Sequence, residues 1–428
     1  MGERNRKLSR RELLKLAGFG LGVGVGLGAC KAFGVNPNEI NAETPDPTEV
    51  EKRLKQMITE GQFNRVETGV YNPEALNLWK EIEPQPKIDP RIGICIEPSR
   101  YVRGKGSIEW HAKVAELLGF QRVAIPVSPP EFVGHTGIED TDTSTLDKLL
   151  QNPEFESIFS NPQFKDIHLT LDIGGGGANA WQLPDKAAFT EERLQKTYEE
   201  AYAAANLIQE KWGHLGKIIT CGFSNEIELH AKGGYRPETE DEDISPVALE
   251  NGIKYFNTVF RAIRDANAAH PGNNPLLTSM EVLQIRRLVM YNDRNAITGL
   301  NIASGLDVLP DELTLSCWQF SGKGDGGYWP EKAMEKMRSV APNVAITEYG
   351  VADGDRLDLP KDQVAAYYPK DIKGALAGGA KYIDVWGLTG FNSEKNFPNN
   401  KEERGLGILR PDGTIRKEVY EALQDLFR

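Results

Sequence analysis

The sequence predicts an α/β protein of the (β/α)8 TIM-barrel class with elaborated loops. Three observations lead to this prediction. Eight short apolar segments follow one another at intervals that average roughly 41 residues, helical segments separate them, and polar residues directly follow the apolar ones. A doubly wound open sheet also alternates strands and helices. The count of eight and the polar residues clustered after the strands favour a closed barrel.

The eight candidate strands are short runs rich in β-branched and apolar residues, which is typical of buried parallel strands. In chain order they are Ile92–Glu97, Val123–Ser128, Ile167–Ile173, Ile218–Ser224, Leu276–Val282, Leu313–Phe320, Val344–Glu348 and Tyr382–Leu388.

Helix start and stop signals lie between these strands. We expect a helix over Ile108–Leu118 that stops at Gly119, because glycine commonly ends helices. A second helix begins at the capping residue Thr190 and continues to Trp212, and a third covers Pro246–Ala269.

The first 30 residues resemble a twin-arginine export signal that ends in a lipobox. Ser9-Arg10-Arg11 precedes an apolar, glycine-rich run that leads to Leu27-Gly28-Ala29-Cys30. That run is shorter than the roughly 20 apolar residues that span a bilayer. The resemblance implies lipidation at Cys30, use of the twin-arginine translocation machinery, and a periplasmic or cell-envelope location. We expect residues 31–90 to form a tether and lead-in, and residues 91–428 to form the catalytic barrel.

Charge and cysteine content limit the partners that we expect. Residues 1–29 carry six Lys/Arg and two Asp/Glu, a net charge of +4. Since the whole chain has a net charge of −12, the residues after 29 have a net charge of −12 − 4 = −16. Such an acidic protein repels phosphate backbones, which argues against nucleic-acid binding and favours a neutral ligand. Cys95, Cys221 and Cys317 lie in separate apolar strands, where we expect buried thiols. Their spacing does not resemble a zinc site, and we expect no metal or cofactor.

The carboxyl ends of barrel strands carry the reactive groups in this fold class. At those ends the sequence places carboxylates and aromatic residues, a mixture that suits glycoside cleavage. One carboxylic acid protonates the leaving oxygen, and a second carboxylate meets the oxocarbenium-like centre. The candidate residues are Asp172, Asn225, Glu226, Glu281, Trp318, Glu348, Tyr349 and Trp386.

Two motifs and one aromatic residue resemble clan A glycoside hydrolases, the cellulase and mannanase superfamily. These are Gly222-Phe223-Ser224-Asn225-Glu226 at strand four, Ile346-Thr347-Glu348-Tyr349-Gly350 at strand seven, and Trp386 on strand eight. The resemblance implies that Glu226 is the acid/base, Glu348 the nucleophile, and Asn225 a contact of the sugar 2-hydroxyl. It also implies a retaining mechanism on a β-linked oligo- or polysaccharide.

The remaining candidates have less specific expectations. Trp386, Tyr349, Trp318, Asp172 and Glu281 are expected to contact or position substrate, with Glu281 in a positioning or structural role rather than as a third catalyst. Trp181 either lines a sugar subsite or belongs to the core, and the sequence leaves both alternatives open.

Two other functions fit parts of the sequence. A metal-dependent sugar isomerase-like barrel would need histidines at strand ends, whereas His168 lies inside a predicted strand. A noncatalytic carbohydrate-binding lipoprotein would carry the same export signal. Alternatively, Glu226 and Glu348 form structural ion pairs with Arg or Lys at the barrel mouth. The sequence also departs from the family pattern. Many clan A members hold a His and a Tyr near the nucleophile, and this sequence has no clear counterpart of either.

Overall fold

Eight parallel strands form a closed barrel in chain order, with β8 paired to β1. The computed structural model describes residues 87–96, 107–127, 144–224, 226–231, 243–283, 289, 297–319, 328–351, 361–388, 408 and 417–426. The predicted fold class is confirmed. The strands are β1 (Ile92–Cys95), β2 (Arg122–Val127), β3 (Asp166–Leu171), β4 (Ile218–Phe223), β5 (Leu277–Val282), β6 (Glu312–Gln319), β7 (Val344–Val351) and β8 (Ala380–Val385).

Helices lie between successive strands, as expected for repeated βα units. Those described are α1 (Ser107–Leu117), α2 (Leu146–Leu150), α3 (Glu156–Phe159), α4 (Glu191–Trp212), α5 (Ile227–Ala231), α6 (Pro246–Ala269), α7 (Gly299–Ser304), α8 (Tyr328–Arg338), α9 (Lys361–Ala377) and α10 (Lys417–Asp425). Short 3-10 turns cover Pro153–Phe155, Ala180–Gln182, Lys186–Ala188 and Gly213–Leu215.

All three predicted helices form, within one residue of their expected bounds. The Thr190 side chain accepts a hydrogen bond from Arg193 N at 3.3 Å and caps α4. Ser245 accepts from Ala248 N at 3.1 Å, and Pro246 occupies the first turn of α6. These caps satisfy amide groups that have no partner inside the helix, which is why the start signals could be read from sequence.

Two strands end three residues away from their predicted ends, which is the largest difference. β7 continues to Val351 rather than stopping at Glu348, because it keeps pairing with β6 as far as Gln319 and Val351. β8 ends at Val385 rather than Leu388. Gly387, just beyond it, has a left-handed φ of 77°, a conformation that a strand does not contain.

The main apolar core fills the space between the strands and the surrounding helices. It includes Ile88, which is buried and whose N–H donates to Gly119 O at 2.9 Å. Ile88 lies in the predicted lead-in of residues 31–90 and packs in the same core as the barrel strands. The signal, Cys30 and the rest of the tether lie outside the described residues. At the other end, the Tyr420 hydroxyl of α10 donates to Leu118 O at 2.8 Å.

The barrel interior is polar near the amino ends of β2, β3 and β6, where Arg122, Asp166 and Glu312 lie. We call this region the barrel floor. Arg122 makes two hydrogen bonds to Asp384, at 2.7 and 3.1 Å, and also pairs with Asp166. The Tyr382 hydroxyl donates to Glu312 at 2.7 Å. Buried charges are tolerated when they are paired in this way. Gly93 leaves room for the network, since a Cβ there would come within 2.8 Å of Arg122 Cγ.

Cys95, Cys221 and Cys317 are buried on three different strands, as predicted. Burial raises the pKa of Cys221 to about 12 and keeps its thiol protonated. Among the described residues, no helix combines the length and apolar character needed to cross a bilayer.

Candidate active site

Three glutamates meet at the carboxyl ends of β4, β5 and β7. Glu226 follows β4 by three residues, Glu281 lies near the end of β5, and Glu348 lies on β7. Glu281 interacts electrostatically with both of the others. The barrel therefore gathers carboxylates from distant parts of the chain at one end, as the positions of the strands predicted.

Glu348 is buried and held by its neighbouring strand. It is 6% exposed, and the Ser316 hydroxyl of β6 donates to its Oε2 at 2.7 Å. The register between β6 and β7 shifts here, because Leu315 pairs with Ile346 while Ser316 pairs with Glu348. This irregularity skips Thr347.

The irregularity re-aims two successive side chains of β7. In a regular strand, neighbouring side chains point to opposite faces. Here the Thr347 hydroxyl hydrogen-bonds Glu281 Oε2, and Glu348 bonds Ser316. Glu281 lies on the same face of β5 as Ser279, which reaches across the barrel interior to His168 of β3 at 2.9 Å. Ser316 lies on the same face of β6 as Glu312, which accepts from the Tyr382 hydroxyl inside the barrel. Thr347 and Glu348 therefore both face the barrel interior, which is a recognised use of bulges next to active sites.

Glu281 is the most enclosed of the three glutamates. It is 4% exposed, and its Oε1 accepts a hydrogen bond from the backbone N of Glu226 at 3.0 Å. Burial, followed by repulsion from Glu348, raises the pKa of Glu281 well above its usual range, although the bonds from Thr347 and Glu226 oppose this. Glu281 therefore keeps its proton to a higher pH than an exposed glutamate does.

The turn after β4 has an unusual backbone. Ser224 has φ 69° and Glu226 has φ 45°, both in the left-handed region that residues other than glycine rarely adopt. Each such residue costs on the order of 1–3 kcal/mol and persists where the surroundings hold it in place. Glu226 is half-buried, which suits a group that exchanges protons with substrate and water.

Trp386 directly follows β8 at the same end of the barrel. It is 6% exposed and forms a small cluster with Cys95 and Ala124 of β1 and β2. Its backbone N donates to Tyr349 O at 2.8 Å, which ties it to β7. Stacking on a sugar stays a prediction.

Tyr349 does not belong to this cluster, and its expected substrate contact is corrected. It is 1% exposed, its hydroxyl donates to Asp371 of α9 at 2.8 Å, and its ring packs edge-on against Tyr368. Strand alternation resumes after the irregularity at Thr347, so Tyr349 points outward into the layer between β7 and α9.

Other candidates have separate surroundings. Asp172 is buried. The pKa of Tyr255 on α6 is raised first by the burial of Tyr255 and next by the negative charge of Asp172. Glu228 accepts hydrogen bonds from Leu283 N at 2.7 Å and Gly299 N at 2.9 Å, which is a structural role. Asn225 and the side chain of Trp318 lie outside the described residues, so their contacts stay predictions.

Ser316 and Thr347 contact the carboxylates but were not predicted. Ser316 could have been found, because counting in steps of two along β6 from Thr314 places it on the same face near the strand end. Thr347 could not, since its inward direction depends on the register shift. In the part of the chain that the structure describes, no three His, Cys, Asp or Glu are grouped as metal ligands.

No protein-family model and no curated protein matches this chain. Solved structures do match its fold. A GH5_18 protein from Streptomyces cattleya, in complex with GlcNAc, is 15% identical with a TM-score of 0.53, over 79% of this chain and 80% of that one. An exo-β-1,4-mannosidase from Opitutaceae bacterium strain TAV5 is 13% identical with a TM-score of 0.51, over 79% of this chain and 59% of that one. A psychrophilic family 10 endo-β-1,4-xylanase is 11% identical with a TM-score of 0.51, over 78% and 96%. At these identities the likeness establishes a shared barrel fold, and the solved neighbours are glycoside hydrolases.

Proposed function

We propose that the chain is a retaining glycoside hydrolase that acts on a β-linked oligo- or polysaccharide. The observation that carries the proposal is the cluster of Glu226, Glu281 and Glu348 at the carboxyl ends of β4, β5 and β7. A retaining reaction needs two carboxyl groups about 5–5.5 Å apart, one as nucleophile and one as acid/base.

In the proposed mechanism Glu348 is the nucleophile. Its carboxylate attacks the anomeric carbon while Glu226 donates a proton to the departing glycosidic oxygen. The glycosyl-enzyme then reacts with a water that gives its proton to Glu226, and the second inversion restores the original configuration. The bond from Ser316 to Glu348 Oε2 holds the nucleophile, and its burial limits competing hydration.

Three observations support a neutral β-linked glycan as substrate. The chain outside the signal is strongly acidic, which disfavours polyanionic ligands. Two of the solved neighbours are named for β-1,4 linkages, and the Streptomyces cattleya protein is also solved with Manβ1-4GlcNAc. We therefore propose β-1,4-linked mannosides, glucosides and xylosides as the first substrates to test.

Variants of the two carboxylates test the mechanism. Hydrolysis of 4-nitrophenyl β-glycosides and of β-1,4-oligosaccharides should fall at least about 1,000-fold in Glu348→Gln. Glu226→Ala should lose about 100- to 10,000-fold on poor leaving groups, which need a proton. On substrates with activated leaving groups, azide should restore part of the turnover, because it attacks the glycosyl-enzyme without a general base. Glu335→Gln, an exposed α8 position, serves as control. Undiminished activity in Glu348→Gln would rule out the assignment.

Two assays separate the competing functions. Activity that a chelator abolishes would favour the metal-dependent isomerase-like barrel. Sugar binding without turnover across the panel would favour a carbohydrate-binding protein without catalysis.

We also propose that the protein is exported by the twin-arginine route and anchored through a lipid on Cys30. The supporting observation is the sequence alone, Ser9-Arg10-Arg11 followed by the apolar run to Cys30. Labelled fatty acid should be incorporated into the wild-type chain and lost in Cys30→Ser, while Arg10→Lys with Arg11→Lys should block export. Incorporation that persists in Cys30→Ser would contradict the anchor.

A further inference from the structure

Glu281 connects the two carboxylates to which the mechanism assigns chemistry. Its Oε1 accepts from the Glu226 backbone N at 3.0 Å, and its Oε2 hydrogen-bonds the hydroxyl of Thr347, the residue before Glu348. The two oxygens of one buried side chain thus bind the turn after β4 and the irregular part of β7.

Both of these segments need support. The turn after β4 holds Ser224 and Glu226 at positive φ, and the N–H that Glu281 accepts belongs to Glu226 itself. On β7, the register shift directs Thr347 and Glu348 to the same face. A hydrogen bond at each segment fixes a conformation that the local sequence does not favour.

The negative charge of the glutamate cluster limits the ionisation state in which Glu281 can form these two hydrogen bonds. A third carboxylate beside Glu348 would add a buried negative charge close to the place where Glu348 must stay ionised. Burial and the nearby Glu348 raise the pKa of Glu281, so its neutral form is favoured. A neutral carboxyl keeps acceptor capacity on both oxygens, so it can still accept from the Glu226 N–H and the Thr347 hydroxyl.

We propose that Glu281 is a positioning residue, which links the turn that carries Glu226 to the strand segment that carries Glu348 and so sets their relative placement. This role rests on the proposed glycosidase function. It does not include proton transfer or bond formation with the substrate.

The test compares Glu281→Gln with Glu281→Ala on aryl β-glycosides. Glutamine keeps an acceptor for Glu226 N and a polar partner for Thr347, so kcat should stay within about 3-fold of wild type. Alanine removes both bonds, and kcat should fall about 100-fold with KM changed less than about 3-fold, because misplacement of reacting groups lowers the rate of the chemical step. Thr347→Val removes one of the two bonds and should give an intermediate loss.

Two controls separate positioning from a general loss of structure. Glu312→Gln alters another buried interior carboxylate, at the barrel floor, and should leave kcat near wild type. Thermal unfolding of each variant checks that the fold is retained. The pH profile adds a third readout, because Glu281→Gln lacks the ionisation that adds negative charge beside Glu348 at high pH, and its kcat should fall less on the alkaline side.

The outcomes distinguish failure of the positioning role from failure of the proposed glycosidase function. Activity of Glu281→Gln as low as that of a folded Glu281→Ala, or a Glu281→Ala with wild-type kcat, would overturn the positioning role while the glycosidase assignment stands. Wild-type protein that neither hydrolyses nor is labelled by any glycoside would overturn both.

Discussion

The hydroxyl of Ser316 donates to Oε2 of Glu348 over 2.7 Å, across the point where the pairing of β6 and β7 changes register. This bond ties the direction of the carboxylate to the neighbouring strand rather than to its own. The geometry of the proposed nucleophile therefore depends on how the strands are paired.

Removing this bond should slow catalysis without unfolding the protein. A hydrogen bond to a charged group is worth about 1.5–3 kcal/mol, so Ser316→Ala should lower kcat/KM about 10- to 100-fold. Steady-state kinetics on aryl β-glycosides measure the loss. Ser339→Ala on the surface should leave kcat/KM unchanged, and a Ser316→Ala variant equal to it would show that the bond has no role in catalysis.

Glu281 should make stability depend on pH in a defined direction. An unfolded chain ionises a glutamate near pH 4.5, whereas the folded protein retains the proton to higher pH. Below 4.5 both states are protonated, so the difference between them vanishes. Between 4.5 and the raised pKa the folded state loses stability by about 1.4 kcal/mol per pH unit.

The variant Glu281→Gln lacks this titration. Its free energy of unfolding relative to wild type should therefore increase as pH rises from about 4 to about 7. Thermal melts of both proteins across this range provide the measurement. A difference that stays constant with pH would mean that Glu281 ionises normally in the folded state.

The barrel floor should not tolerate a side chain at Gly93. A Cβ there would lie 2.8 Å from Arg122 Cγ and closer still to the Asp384 carboxylate. Gly93→Ala should therefore destabilise the protein by about 1–3 kcal/mol, the usual cost of overpacking. The matched control is Gly272→Ala, because a Cβ at Gly272 meets nothing within 4 Å. Equal melting temperatures for the two variants would contradict the packing described at Gly93.

An exposed tryptophan lies near the proposed acid/base. Trp181 is 39% exposed on the Ala180–Gln182 turn, and this turn packs against α5, the helix that begins directly after Glu226. Since an aromatic ring can cover the apolar face of a sugar, we expect it to bind a unit on the leaving-group side. Trp181→Ala should raise KM for β-1,4-oligosaccharides about 3- to 10-fold and leave aryl monoglycosides unaffected. An equal change on both substrate types would place Trp181 outside the subsites.

The strands and the positions of the carboxylates could be predicted because both follow from local pattern. Apolar β-branched runs mark buried strands, and residues at their carboxyl ends meet at one face of a closed barrel. Glu226, Glu281 and Glu348 were placed together on this reasoning alone. Helix caps such as Thr190 could be read equally well, since capping is a contact between near neighbours.

What the sequence could not provide is the direction of single side chains where the backbone is irregular. Tyr349 follows Glu348 and was expected beside it, yet it points outward to Asp371. Thr347 was not considered, and it reaches Glu281 because of a register shift between β6 and β7. Such shifts arise from pairing between segments about 30 residues apart, which local periodicity does not record.

The most direct test of the proposed mechanism is to trap the covalent intermediate. A 2-deoxy-2-fluoro β-glycoside with an activated leaving group should inactivate the wild-type protein, and mass spectrometry of its peptides should place one glycosyl group on Glu348. Glu348→Gln should acquire none. A glycosyl group found on Glu226 or Glu281, or turnover with inversion and no adduct, would contradict the assignment of Glu348 as the nucleophile.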